Sequence, residues 1–177
     1  ELARDRERCK KNIGYLQMVE AHSGITVMDA WTSELIETGY LHNHARMWYA
    51  SIWIHTLKLP WTLGAEFFLR HLLDGDVASN TLSWRWVAGL QTLGKVYLAH
   101  KSNIYKYTAG RLEVNIPLAT ESALVETVQS IATPKRLPSY DETIPNCRIG
   151  LLVQEEDLSA INWLSDVCEL VAVAGLL

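Results

Sequence analysis

Residues 39–86 read GYLHNHARMWYASIWIHTLKLPWTLGAEFFLRHLLDGDVASNTLSWRW, and they carry five of the chain's seven tryptophans: Trp48, Trp53, Trp61, Trp84 and Trp86. Beside these rings stand Asn43, Arg46, Asp74, Asp76 and Asn80. Indoles next to a few amides and carboxylates suit a site for a large planar ligand, because aromatic faces stack on rings while the polar groups fix orientation. The spacing is helical throughout, with Pro60 and the Asp74-Gly75-Asp76 turn as its punctuation,.

Asn43, Arg46, Met47 and Ala50 recur at i, i+3, i+4 and i+7, which places them on one helix face,. An arginine there is costly to bury unless a carboxylate meets it, and Asp74 and Asp76 in the following turn are the natural partners. If a helix starts at Asp76, then Asp76, Asn80 and Trp84 form one stripe. Each residue also has a plainer reading: Arg46 with Asp74 as a buried strut, Asp76 as a helix N-cap, the tryptophans as core. His42, His44, His55 and His71 do not make a metal set, since i, i+2 side chains diverge on a helix and no carboxylate or cysteine completes the group.

Working outward, helices are expected over residues 1–21, 27–38 with Gly39 as C-cap, 40–59, from an N-cap at Thr62 to about Leu73, and 76–89,. Residues 101–109 and 120–132 read as helical or irregular. Residues 112–146 form an acidic linker or helix marked by Pro134, Pro138 and Pro145. CRIGLLV from Cys147 has the composition of a short buried strand, with a helix segment of that length as the alternative, and the apolar run INWLSDVCELVAVAGLL that of a packed helix,. The first 110 or so residues are thus all-α, and no strand with a Gly-rich loop opens a dinucleotide fold.

The totals agree with one soluble globular domain of 177 residues,. Residues 41–111 hold eight Lys/Arg against three Asp/Glu and five of the six histidines, whereas residues 112–177 hold three against ten. That basic centre permits an anionic ligand or nucleic acid. Cys9, Cys147 and Cys168 are widely spaced, which points to a reducing cytoplasm and away from a disulfide framework,. The charged start ELARDRERCKK is no signal peptide, and the C-terminal apolar run, broken by Asp166 and Glu169, falls short of the roughly 20 residues of a membrane span,. A start without methionine and an end on Leu-Leu lead us to expect a piece of something longer.

The segment TGYLHNHARM, then PWTLGAEFFLRHLLDGDVASN, then SWRWVAG resembles the C-terminal half of the FAD-binding domain of the DNA photolyase/cryptochrome family. The family pattern is TGW-x-HNR-x-RM, a W-x-x-G-x-x-x-F helix, L-x-D-x-D-x-A-x-N and W-x-W. The likeness starts near Ser23-Gly24, includes Val27-Met28-Asp29-Ala30, and fades after Gly89. It implies an all-α, partial FAD-binding helical domain over residues 1–111, the linker over 112–146 and a short C-terminal segment over 147–177, with room there for a strand.

The resemblance also implies roles. Arg46 and Asp74 would form the ion pair beside the isoalloxazine, with Gly75 between the two aspartates. Asp76 would bond the flavin edge or its ribityl side, and Asn80 would face N5, as an amide can either donate to or accept from that nitrogen. Trp84 and then Trp61 would pass electrons to the flavin. Asn43, Met47 and Trp86 match positions that meet a flipped-out pyrimidine dimer, and His44 stands where an arginine touches DNA phosphate. Damaged DNA is therefore the expected partner, with no membrane and no metal. The remaining walls of the FAD pocket are expected to lie outside this chain.

Histidines mark the (6-4) branch where this chain has Asn43 and Met47, so a cyclobutane-dimer photolyase is the closer likeness. An iron–sulfur branch needs four cysteines and only three are present,. The departures are Tyr40 for tryptophan, His44 for arginine, GKVYLAHKSNIYKYTAGRL in place of PYFRIFNP, and no outermost relay tryptophan upstream of Ser23. The expected function is light-driven repair of cyclobutane pyrimidine dimers by electron transfer. The alternatives are a cryptochrome-like blue-light receptor without repair and a flavin-free helical module.

Overall fold

The computed structural model describes residues 1–92, 95–125, 148–154, 164 and 168–176. The chain divides into two compact units, Glu1–Ser130 and Ile131–Leu177. Among the described residues, the first is built from seven α-helices and one π-helical turn, and the second contributes a pair of strands.

The expected single helix over residues 1–21 is two: α1, Leu2–Cys9, and α2, Ile13–Val19. The break is made by Asn12, whose side-chain oxygen accepts from the Tyr15 amide at 3.0 Å and starts the second helix,. Helix α3, Thr26–Thr38, begins where Asp29 reaches back to accept from Ser23 N, Ser23 Oγ and Gly24 N. Its end falls at Gly39, whose φ of 69° is left-handed and whose N–H bonds the Leu35 carbonyl,.

The helix expected over 40–59 is shorter at its start and changes pitch inside. Helix α4 covers Asn43–Ser51, with His42 as N-cap accepting at Nδ1 from the His44 amide. A π-helical turn, Ile52–Thr56, follows, closed by Leu57 N–H on the Ile52 carbonyl,. The wider turn buries four consecutive side chains, Ile52, Trp53, Ile54 and His55.

Helix α5 spans Trp61–His71 with Pro60 at its N-cap. Thr62 is therefore not the cap. It is the second residue of the helix, and its hydroxyl donates to the buried Asp5 carboxylate at 2.7 Å. Helix α6, Val77–Val87, is capped as expected by Asp76, whose carboxylate accepts from the Ser79 amide at 2.7 Å. Helix α7 is Lys101–Tyr107. Residues 120–125 are irregular, and 126–132, with most of the expected acidic linker, lie outside the described residues.

The core of this unit is aromatic. Trp53, Tyr49 and Phe68 are fully buried, with Trp84 against them, and each such side chain contributes about 1.5–3 kcal/mol when fully buried. Trp84 meets Phe68 edge-on at 5.1 Å and Trp53 at 6.2 Å, which ties α6 to α5 and to the π turn.

In the second unit, β1, Arg148–Gln154, is the expected strand but not a buried one, since Val153 alone of its residues is buried. The C-terminal run is not a helix over its end: Glu169–Leu176 is β2, parallel to β1. ELVAVAGL alternates valine with small residues, a pattern that fits a pleat as well as a helix. The register shifts between Ile149 and Gly150, where Val171 is the unpaired residue,.

Candidate functional site

The chain folds so that the two halves of the 39–86 stretch face each other across an open groove. Leu73 N–H bonds the Gly39 carbonyl at 3.0 Å, which pins the turn after α5 to the link between α3 and α4. Arg46 then lies within reach of that turn. Its Nε donates to the Leu41 carbonyl at 2.7 Å, and its Nη2 donates to Asp74 Oδ2 at 2.9 Å and Oδ1 at 3.0 Å. The pair is no buried strut: the side chains are 24% and 59% exposed, at the groove rim. Tyr40 covers the guanidinium from the other side, at 5.5 Å from its ring centre,.

The groove encloses about 490 Å³, within the range of small-molecule sites. From α4 come Asn43, Arg46, Met47 and Ala50; from the turn, Asp74, Gly75 and Asp76; from α6, Ser79, Asn80, Ser83, Trp84 and Trp86. Nine of the eleven residues singled out in the sequence thus line one cavity: Asn43, Arg46, Met47, Asp74, Gly75, Asp76, Asn80, Trp84 and Trp86.

Two side chains leave an acceptor over. Asp76 uses Oδ1 as the α6 cap. Asn80 donates through Nδ2 to the Ala65 carbonyl at 2.8 Å, bridging α6 to α5. Because a carbonyl can only accept, this bond fixes the amide orientation. Asn80 Oδ1 and Asp76 Oδ2 have no protein partner among the described residues, and both residues line the groove. A planar ligand with N–H or O–H groups along one edge fits such a set, and a flavin is such a ligand.

The aromatic walls are set from behind. Gly64 on α5 lets the Trp84 indole lie directly on the helix, since a β-carbon there would stand 2.2 Å from Cη2. Trp86, 38% exposed, stacks on Tyr97 at 5.7 Å. Tyr97 belongs to the divergent stretch after Gly89, so the motif comparison passed over it.

Two singled-out residues are elsewhere. His44 stacks on His42, Trp48 and Tyr107 at 5.3, 5.6 and 5.5 Å, outside the groove lining. His42 and His44 do not diverge, because His42 is a cap and not a helical residue. Trp61 is buried at the start of α5, with Nε1 donating to Glu1 at 3.2 Å and the Arg85 guanidinium 5.7 Å from its ring. The groove also gains Phe68, Leu72, Ser79, Ser83 and Gln91. Of these, Ser79 and Ser83 lie three residues after Asp76 and Asn80, on the same helix face,.

Comparison with known proteins gives the same region. The family model described as the FAD binding domain of DNA photolyase matches residues 5–108, further on both sides than the likeness over 23–89. A deoxyribodipyrimidine photo-lyase of Streptomyces griseus is 47% identical over 70 residues, 40% of this chain and 15% of that protein. The Synechococcus protein of that name is 41% identical over 69 residues, covering 39% and 14%. That of Escherichia coli is 36% identical over 89 residues, covering 50% and 19%. The chain therefore spans less than a fifth of the length of these relatives.

Proposed function

We propose a function from one premise: the chain belongs to the FAD-binding domain family of DNA photolyase. The reading is that residues 39–86 form one wall of a flavin site in a light-driven DNA repair protein acting on cyclobutane pyrimidine dimers. The observation that carries it is the convergence of nine motif residues from α4, the Asp74–Asp76 turn and α6 on one groove.

A bound flavin would supply light absorption and one-electron transfer. The chain's residues do the rest. Arg46, held by Asp74 and the Leu41 carbonyl, places a fixed positive charge at the groove rim, which favours an electron-rich ring beside it,. Asn80 Oδ1 would be free to accept from a ring N–H, and Asp76 Oδ2 from a ring or ribityl donor. Trp84, 2% exposed, is a dry indole in the groove wall, suited to give up an electron. Trp61 is its expected successor in the relay. Asn43, Met47 and Trp86 form the part of the groove that receives an extruded lesion, with Met47 and Trp86 against its apolar faces and Asn43 on a base edge. In repair an electron enters the dimer, two carbon–carbon bonds of the cyclobutane ring open, and the electron returns, so there is no net oxidation and no general acid is needed.

The opposite wall of the site belongs to segments this chain does not contain. Leu82 and Trp86, 48% and 38% exposed on α6, are the apolar surface such segments or a ligand would cover,. The reading places the protein in the cytoplasm. Among the described residues no helix is long and apolar enough to cross a membrane.

A second reading is a photoreceptor that keeps the flavin and has lost repair. It is favoured by His44, which replaces a phosphate-binding arginine and stacks on Tyr107 instead of reaching the groove. Ultraviolet-damaged oligonucleotide, flavin and blue light separate the two. Loss of dimers under illumination is the expected result. A protein that takes up flavin, responds to light and leaves every dimer intact would overturn repair in favour of signalling.

A further inference from the structure

Among the described residues Trp84 has two ring neighbours, Phe68 and Trp53, and of these Trp53 alone can be oxidised at a potential near its own. Trp53 stands 6.2 Å from Trp84 at 85°, so the edge of one indole rests on the face of the other. On its far side Trp53 meets Tyr15 of α2 in the same manner, at 6.0 Å and 89°. Three oxidisable rings thus run from the groove wall through the core to α2 in successive van der Waals contact. Among the described residues Trp61 is not a ring neighbour of Trp84.

A second tyrosine, Tyr49, also stacks on Trp53, at 5.9 Å. It is a dead end. Tyr49 is fully buried and hydrogen-bonded to Thr32, so no solvent stands beside it to take the proton that must leave an oxidised tyrosine. Tyr15 is only partly buried and opens on a small cleft of about 150 Å³, which it shares with Glu66, Arg70 and His71.

Resting on the flavin reading above, we infer that Trp53 and Tyr15 form a second electron exit from Trp84, ending on a tyrosine at the α2 surface. The oxidant is photoexcited FAD. Trp84 gives up one electron and becomes an indole radical cation, Trp53 refills it, and Tyr15 refills Trp53. Tyr15 loses its phenolic proton to water in the cleft and is left as a neutral radical. One electron has then moved from Tyr15 to the groove, and one proton to solvent. Trp53 and Tyr15 act through Trp84 and touch no ligand.

The experiment is light-induced electron paramagnetic resonance on the chain mixed with excess FAD, comparing the unaltered protein with Y15F, W53F and W61F. The readout is the identity of the radical, which a merely structural role would not move. A tyrosyl signal in the unaltered chain and in W61F, lost in Y15F, is the expected result. W53F should lose it too; should that variant fail to fold, Y15F decides. Flavin bleaching with no tyrosyl signal, or a tyrosyl signal that survives Y15F, overturns the branch and leaves the flavin reading standing. No light-induced change of any kind overturns both.

Discussion

Gly64 and Trp84 are in contact so close that a single added methyl would overlap the indole: the β-carbon position of Gly64 lies 2.2 Å from Trp84 Cη2 and 2.4 Å from Cζ3. Trp84 also packs edge-on against Phe68 and Trp53, which limits how far it can shift. G64A should therefore destabilise the fold by about 1–3 kcal/mol, the usual cost of overpacking a core, although alanine is the better helix former. Urea denaturation measures the loss, and near-ultraviolet circular dichroism should report a displaced indole. An unchanged midpoint would mean that the helices part without strain.

Thr62 and Asp5 couple α5 to α1 inside the core. Asp5 is 3% exposed; Oδ2 accepts the Thr62 hydroxyl, while Oδ1 has no hydrogen bond and only the Arg4 and Arg8 cations at 3.6 Å. T62V keeps the shape and removes the donor, which should cost about 1–3 kcal/mol, since a buried carboxylate would lose its hydrogen bond. D5N with T62V should recover part of that loss in a double-mutant cycle.

His55 predicts a pH dependence of stability. Its Nε2 meets the Val87 carbonyl at 3.0 Å and its Nδ1 accepts from the Ala123 amide at 3.2 Å, the pattern of a neutral imidazole. Burial holds it below its ordinary value of 6.5, against the opposing pull of the Val87 carbonyl. As pH falls through 6.5 the unfolded chain takes up the proton first, so stability present above that pH is lost below it, by up to about 1.4 kcal/mol per pH unit. His71, lowered by burial and by Arg70, adds in the same direction. H55Q should flatten the fall in Tm between neutral pH and the folded-state value, leaving the His71 share.

Glu66 predicts a separate, more acidic window. It pairs with Arg6 and, at 2.8 Å, with Arg70, and the Arg6 hydrogen bond chiefly holds its carboxyl below the ordinary 4.5. Its contribution is complete above that value and disappears as pH falls through the lower folded-state value. E66Q should remove this acid-limb loss while leaving the histidine window in place, as followed by thermal melts across pH.

How much of this was legible in the sequence depends on range. Gly39 as a helix stop and Asp76 as a cap are local signals, and both are as expected. The Asn12 break in the first helix was equally local but hidden among the flanking charges of CKKN. The π-helical turn was not legible, because its cause is tertiary: four consecutive residues have buried partners on every side. Thr62 looked like a cap until α1 supplied Asp5 as a partner from 57 residues away. The C-terminal strand was misjudged because alternating small and apolar residues satisfy both periods, and only pairing with Arg148–Gln154 selects the pleat,. In the site, helix spacing brought Asn43, Arg46 and Met47 to one face, but the distance of His44 from the groove follows from Tyr107, which lies in a stretch with no motif.

The central claim is that the groove under Arg46 and Asp74 is one wall of a flavin site, and titration of FAD with the chain, followed by flavin absorbance and fluorescence, tests it most directly. The account predicts saturable binding at one site, weakened about tenfold or more in R46A, since hydrogen bonds to charged groups contribute roughly 1.5–3 kcal/mol. The fold should be retained in that variant, because the ion pair lies at the groove rim with Asp74 59% exposed,. A flavin spectrum unaltered by excess chain, or binding that R46A leaves intact, would contradict it.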